Sequence, residues 1–302
     1  MTEVEATRCG FVALIGAPNA GKSTLLNSLV GTKVAIVSPK VQTTRSRVLG
    51  IATEGRSQIV FVDTPGIFKP RRRLDRAMVA AAWAGAAEGD LVLLLIDASL
   101  KGVRDESRSI IAQLAQSKRQ AILVLNKIDA VRREALLALA ADLNTSGVFT
   151  DIFMISALTG DGVDDLRRAV AERLPEGPWL FPEDQVSDMP MRLLAAEITR
   201  EKLFLRLQQE LPYAVAVETE SWEEQEDGSV RISQIIYVQR DGQKAIVLGR
   251  GGQMIKAIGT AARLELEEIT EQRVHLSLFV KVRENWLDDP ARYSVWGLDY
   301  DA

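Results

Sequence analysis

Gly16-Ala17-Pro18-Asn19-Ala20-Gly21-Lys22-Ser23 fits the spacing G-x-x-x-x-G-K-[ST] at every fixed position. Glycines at both ends let the backbone curl so that successive N–H groups face inward at phosphate oxygens, and a following helix adds the positive end of its dipole. In that arrangement Lys22 reaches the β- and γ-phosphates. The Ser23 hydroxyl ligates Mg²⁺, and Thr24 stands in the same opening turn. A second set of residues, Asp63-Thr64-Pro65-Gly66, offers a carboxylate to hold Mg²⁺ through water and a Gly66 N–H to sense the γ-phosphate. A third, Asn126-Lys127-Ile128-Asp129, decides the base. The Asp129 carboxylate accepts from N1–H and the 2-amino group of guanine, whereas adenine has neither donor there and would leave a buried charge unpaired. Asn126 is expected to bind the phosphate-loop backbone and the purine, and the Lys127 stem to lie along the base. Ser156-Ala157-Leu158 follows, where the Ala157 N–H could meet guanine O6.

These residues need a scaffold that brings them to one edge. Phe11 to Ile15 is an unbroken apolar run, as are Leu91–Ile96 and Ala121–Leu125, and Ser57–Asp63 alternates into another. Ile152–Ile155 reads as the last strand. Helical patterns near 75–85, 104–116 and 133–143 separate them, which implies a mostly parallel sheet covered on both faces. Ligands on such sheets gather at the carboxyl ends of the strands, where all three motifs fall. Gly31 to Gly50 lacks helical period and reads as a loop of about fifteen residues, a length that usually carries function. Within it Thr44 and Thr43 are the candidates for a second hydroxyl ligand of Mg²⁺. The basic stretch Lys69-Pro70-Arg71-Arg72-Arg73 reads as a solvated loop, with a phosphate-contacting patch as the alternative.

The chain has 302 residues, 47% hydrophobic and 26% charged, with net charge −4, so overall charge names no partner. It is long enough for two cores. One cysteine, Cys9, excludes an intramolecular disulfide and suits a reducing compartment. The start MTEVEATRCG lacks a signal peptide's regions and no long uncharged apolar stretch occurs, so a cytoplasmic protein is expected. With one histidine there is neither a Ser/His/Asp triad nor a Cys/His metal cluster.

A proline-rich, acidic stretch at 179–190 separates residues 1–178 from 191–302 and reads as an extended linker. Lys+Arg number 23 against 19 Asp+Glu in residues 1–178, and 14 against 22 in residues 179–302, so the second part is acidic at −8. It reads as a helix at 191–210, strands at 214–219 and 231–238 joined by an acidic loop, and a glycine-rich turn, Gly249-Arg250-Gly251-Gly252. A helix and a closing strand at 274–282 follow. Such a turn at a helix start brings backbone N–H groups against a phosphate chain, with Arg250 and Lys256 adding charge.

Pro18-Asn19 within the phosphate loop, Gln42-Thr43-Thr44-Arg45 and Asp63-Thr64-Pro65-Gly66 resemble the Era branch of the translation-factor-related GTPases. The order α-β-β-α-α-β around Gly249–Gly252 resembles a type II KH domain, the other half of that family, so the resemblance spans nearly the whole chain. It implies an α/β phosphate-loop GTPase domain followed by an α+β KH domain. It further implies GTP hydrolysis to GDP with Mg²⁺, and binding of single-stranded RNA at the 3′ end of small-subunit (16S) ribosomal RNA during assembly of the small ribosomal subunit, by a monomer. Lys22, Thr44, Asp63 and Gly66 carry catalysis by this resemblance. Ile67 stands where Ras-like GTPases have a water-orienting glutamine, so water is positioned another way, and Asn19 matches an asparagine that helps bind an activating K⁺ in related enzymes. The alternative from another class is a membrane-associated or cell-cycle GTPase, peripheral at the inner face of the membrane, with a protein-interaction module as its second domain.

Overall fold

The computed structural model describes residues 6–41, 43–284, 286 and 289–302; Gln42 of the motif above lies outside them. By contact the chain forms two compact units that are discontinuous in sequence. One holds residues up to Ala35, Thr44–Asp188 and Ser294–Ala302; the other holds Ile36–Thr43 and Met189–Tyr293.

In the first unit the strands are β1 (Arg8–Gly16), β2 (Val48–Glu54), β3 (Ser57–Asp63), β4 (Leu91–Asp97), β5 (Ala121–Asn126) and β6 (Phe149–Ile155). Their order is β2-β3-β1-β4-β5-β6, parallel throughout except for the β2–β3 hairpin. The helices are α1 (Lys22–Val30), α2 (Arg73–Glu88), α3 (Asp105–Gln116), α4 (Arg133–Asn144) and α5 (Val163–Arg173). β1 has β3 on one side and β4 on the other, so the order reverses at its carboxyl end, the usual place for a ligand crevice. The strand runs are buried on both faces. Ala13, Ile15, Leu94, Leu123 and Leu125 share one core with Ala82, Ile110 and Leu136 of α2, α3 and α4.

The antiparallel strand β2 was not read from the sequence, because its pattern merges into the loop expected up to Gly50. The loop therefore ends at Arg47. The 179–190 stretch does not hang free of the first unit. The N–H groups of Leu180 and Phe181 donate to Gln58 Oε1 at 2.9 and 3.0 Å, and Ile51 donates to the Val186 carbonyl at 2.9 Å. An extended, proline-bearing segment satisfies its backbone by lying along the β2–β3 side of the sheet.

The second unit contains α6 (Met191–Arg206), β7 (Ala216–Glu224), β8 (Val230–Val238), α7 (Asp241–Leu248), α8 (Gln253–Thr270), β9 (Val274–Val282) and α9 (Pro290–Val295). Its sheet runs β7-β8-β9, with an antiparallel hairpin and a parallel closing pair. α6 stops at Arg206, four residues short of the sequence expectation. Leu207 turns extended, and Leu211–Ala214, with Pro212 at its start, forms a short 3₁₀ turn ahead of β7. The hairpin tip shrinks to Gln225–Ser229, because Glu223 and Glu224 belong to the strand.

Candidate functional site

The phosphate loop leaves β1 and enters α1 with Gly21 at φ 97°, a left-handed conformation. A side chain there is excluded twice over, by that backbone and by Asn126, whose Nδ2 would lie 2.2 Å from an added Cβ. Lys22 is buried, and its Nζ donates to the carbonyls of Gly16 (3.1 Å) and Ala17 (3.2 Å). Burial pushes this ammonium down to about 8, against the pull of the neighbouring Asp63 carboxylate. A phosphate placed in the loop would favour the charged form further.

Ser23 Oγ donates to Asp63 Oδ2 at 2.6 Å and lies 2.9 Å from Thr44 Oγ1, which in turn donates to the same oxygen at 3.3 Å. Asp63 is fully buried, which raises its pKa, and its other oxygen, Oδ1, is buried with no hydrogen-bond partner among the described residues. Two hydroxyls and a carboxylate with an unused oxygen form the hard oxygen donor set that Mg²⁺ takes. Of the two candidate threonines it is Thr44 that joins them. Thr43 Oγ1 is engaged with Ser38 Oγ at 2.6 Å and with the Lys40 carbonyl at 2.8 Å.

After β3 the chain passes directly under the phosphate loop. Thr64 Oγ1 donates to the Leu14 carbonyl at 2.8 Å, and a Cβ at Gly66 would lie 3.0 Å from Pro18, so any larger residue there would crowd the phosphate loop. Ile67 N–H donates to the Gly16 carbonyl at 3.0 Å, and the Ile67 side chain turns into the core beside Ile15, Ala82 and Leu94. Its apolar character therefore serves packing. A glutamine there would have to bury its amide or pull the loop from the sheet.

At the ends of β5 and β6, Asn126 bridges the loops. Its Nδ2 donates to the Ala20 carbonyl at 2.8 Å, and its Oδ1 accepts from Lys127 N–H (2.8 Å) and Ala157 N–H (2.9 Å). The Ala157 N–H, expected to face guanine O6, is thus taken by Asn126, and the Ser156-Ala157-Leu158 turn acts here by fixing that side chain. Lys127 adopts φ 68° and its Nζ pairs with Asp97 Oδ2 at 2.6 Å, which lays the stem across the strand ends. Asp97 was missed from the sequence. The signal was available, since it ends the apolar run of β4 as Asp63 ends that of β3. Asp129 is exposed and has neither hydrogen bond nor ion pair among the described residues, leaving both oxygens to accept.

In the second unit Gly249, Gly251 and Gly252 all have positive φ (72°, 59° and 76°). A Cβ at Gly249 would strike Met254, whereas at Gly251 it would meet nothing within 4 Å. The turn presents bare backbone at the start of α8, with Arg250 and Lys256 exposed beside it. The acidic hairpin tip lies at the other end of this unit. The first turns of α8 (Met254, Ile255, Ile258) pack with Val238 and Val280, and its later turns (Ala262, Leu266) with Val230 and Val274, next to the tip. The eight steps of β8 between those ends span about 26 Å, more than two Debye lengths at physiological salt. The charges of the acidic tip are therefore largely screened from the glycine turn. Two basic residues at that end, Lys281 and Arg283, are partly offset by Glu220 (3.7 Å) and Asp289 (2.7 Å).

Residues 11–127 match the family model described as 50S ribosome-binding GTPase, and residues 210–287 match the KH domain. The GTPase Era of Rhizobium meliloti is 66% identical over 294 residues, covering 97% of this chain and 94% of the relative. The chain belongs to the Era family of GTPases. Era of Mesorhizobium japonicum is 62% identical over 305 residues, covering 99% and 98%. Two solved structures align along nearly the whole chain at 40% identity, each covering 96% of this chain and 99% of its own. They are Era with MgGDPNP and nucleotides 1506–1542 of 16S ribosomal RNA, TM-score 0.91, and an Aquifex aeolicus Era variant bound to GDP and AlF₄⁻, TM-score 0.90. The architecture of this Era-family chain, a mainly parallel GTPase sheet followed by a KH domain, agrees with the α/β reading of the sequence.

If Lys22 and Ser23 act as placed, Lys22→Ala lowers GTP affinity by about ten- to a hundredfold, the worth of a charge-assisted hydrogen bond. Ser23→Ala raises the Mg²⁺ concentration needed for half-maximal hydrolysis. Titration of a fluorescent GTP analogue at several Mg²⁺ concentrations measures both, and normal hydrolysis in either variant would remove the phosphate-loop assignment.

Proposed function

We propose that this chain is a GTP-hydrolysing switch that binds small-subunit ribosomal RNA near its 3′ end and assists assembly of the small ribosomal subunit. The observation that carries this is full-length likeness, at TM-score 0.91, to an Era that holds both MgGDPNP and a 16S ribosomal RNA segment. In the first unit the backbone of residues 16–23 and Lys22 hold the β- and γ-phosphates, while Asp129 selects guanine and Asn126 ties the base loop to the phosphate loop. Ser23, Thr44 and Asp63 hold Mg²⁺, which supplies neutralisation of charge on the phosphates as the bond to the γ-phosphate breaks. Gly66 lies close to Pro18 of the phosphate loop, so its N–H and the segment leading into α2 would register whether a γ-phosphate is present.

In the second unit the open backbone of Gly249–Gly252 takes the sugar-phosphate chain, and the flanking Arg250 and Lys256 take its charge. No helix among the described residues is long and apolar enough to cross a membrane, and ribosome assembly places the protein in the cytoplasm. Crosslinking RNA to the protein in cells and sequencing it tests the reading. Recovered fragments should concentrate at the 3′ end of small-subunit ribosomal RNA. An even spread over cellular RNA, together with recovery of the protein on floated vesicles, would favour the membrane-signalling alternative.

A further inference from the structure

The loop that supplies Thr44 is divided between the two units. Residues Ile36–Thr43 pack with Met189–Tyr293, and the chain rejoins the first unit at Thr44. Three polar anchors from α6 hold the departing segment. Val37 N–H donates to Glu201 Oε1 at 2.7 Å, Lys40 Nζ donates to the Phe204 and Leu207 carbonyls at the end of α6, and Arg200 donates to the Thr43 carbonyl at 2.5 Å. Arg200 is 1% exposed, lies over the Phe204 ring at 5.0 Å and is paired with Glu197. Its remaining nitrogen has no hydrogen-bond partner among the described residues.

A wholly buried guanidinium that leaves one nitrogen unsatisfied is costly, and replacing such a group by apolar side chains often stabilises a fold. Among the described residues its one hydrogen bond outside α6 goes to the carbonyl immediately before Thr44. Adjacent Cα atoms are 3.8 Å apart, so fixing the Thr43 carbonyl restricts where the Thr44 hydroxyl can stand. We propose that Arg200 is a positioning residue for Thr44, holding the peptide before it so that its hydroxyl meets Ser23 and Asp63 when the triphosphate and Mg²⁺ are bound. This rests on Thr44 acting as a ligand of Mg²⁺, as assigned above.

The full chain decides it, through affinities for the fluorescent analogues of GDPNP and GDP measured across a range of Mg²⁺. Arg200→Met should weaken GDPNP binding about tenfold, the worth of one charge-assisted hydrogen bond, and shift the Mg²⁺ midpoint of hydrolysis upward by a similar factor. GDP affinity should stay within about twofold, because switch loops are ordered through the γ-phosphate. Arg200→Lys should recover part of the loss. Lys40→Met, which removes an anchor on a half-buried side chain, should shift the same ratio in the same direction, about threefold, and it decides the matter if Arg200→Met does not fold. An unchanged GDPNP-to-GDP ratio in the folded variants, alongside a Thr44→Ala variant that loses its Mg²⁺ dependence, overturns the role of Arg200. An unaffected Thr44→Ala instead overturns the metal site itself, and the proposal with it.

Discussion

Asp129→Asn is expected to exchange the base preference of this protein from GTP toward xanthosine triphosphate. The carboxylate is exposed at the end of the β5 loop with no internal partner among the described residues, so both its oxygens are available to guanine N1–H and the 2-amino group. Each hydrogen bond to a charged acceptor is worth about 1.5–3 kcal/mol, and 1.4 kcal/mol is a factor of ten. Replacing one oxygen by NH₂ sets a donor against a donor, so GTP affinity should fall by roughly a hundredfold or more. Xanthine carries an oxygen at C2 that accepts from the new amide. The Lys127–Asp97 pair and the Asn126 bridge to Ala20 and Ala157 do not involve this carboxylate, so the loop itself should persist. Competition of GTP, ATP and xanthosine triphosphate for a fluorescent guanine nucleotide measures the change. Unaltered GTP selectivity in the variant would remove Asp129 from base recognition.

The first unit was legible in the sequence where one physical cause acts alone. Apolar runs buried on both faces announced β1, β3, β4 and β5, and the motif residues fell at their carboxyl ends because parallel sheets place loops there. What escaped depends on partners distant in sequence. β2 exists because Val48–Glu54 pairs with β3 across a two-residue turn, and its apolar residues follow a polar loop without a break. The choice of Thr44 over Thr43 is a matter of which hydroxyl the loop turns toward Asp63, and Thr43 is occupied by Ser38 and Lys40. Ala157 shows the opposite case, a residue that the motif brought to the right place while its N–H bonds to Asn126. Arg200 and Glu201 were not singled out, because a sequence does not display the loop segment that they hold.

Net charge was the least informative signal, and the second large effect follows from that. The acidic residues of the hairpin tip and the Gly249–Gly252 turn sit at opposite ends of β8, so an RNA strand at the turn would be largely screened from the tip's charge. Gly251 has φ 59° and open space around its Cβ position. Aspartate tolerates that left-handed conformation better than most residues, so Gly251→Asp should fold while placing a side chain and a negative charge where the phosphate chain approaches. The glycine turn, Arg250 and Lys256 neutralise few phosphates. The slope of log affinity against log salt should accordingly be shallow in the wild-type chain, about −2 to −4.

The direct test is therefore titration of a fluorescent single-stranded fragment from the 3′ end of small-subunit ribosomal RNA with wild-type and Gly251→Asp full-length protein, at several salt concentrations and with GTP hydrolysis followed in parallel. The expected result is tight, weakly salt-dependent binding by the wild type, loss of at least a hundredfold in the variant (about 3 kcal/mol), and unchanged hydrolysis without RNA. Normal RNA affinity in a folded Gly251→Asp variant, or a steep salt slope that disappears when Lys69 and Arg71–Arg73 are neutralised, would contradict it and move the RNA to the basic stretch of the first unit.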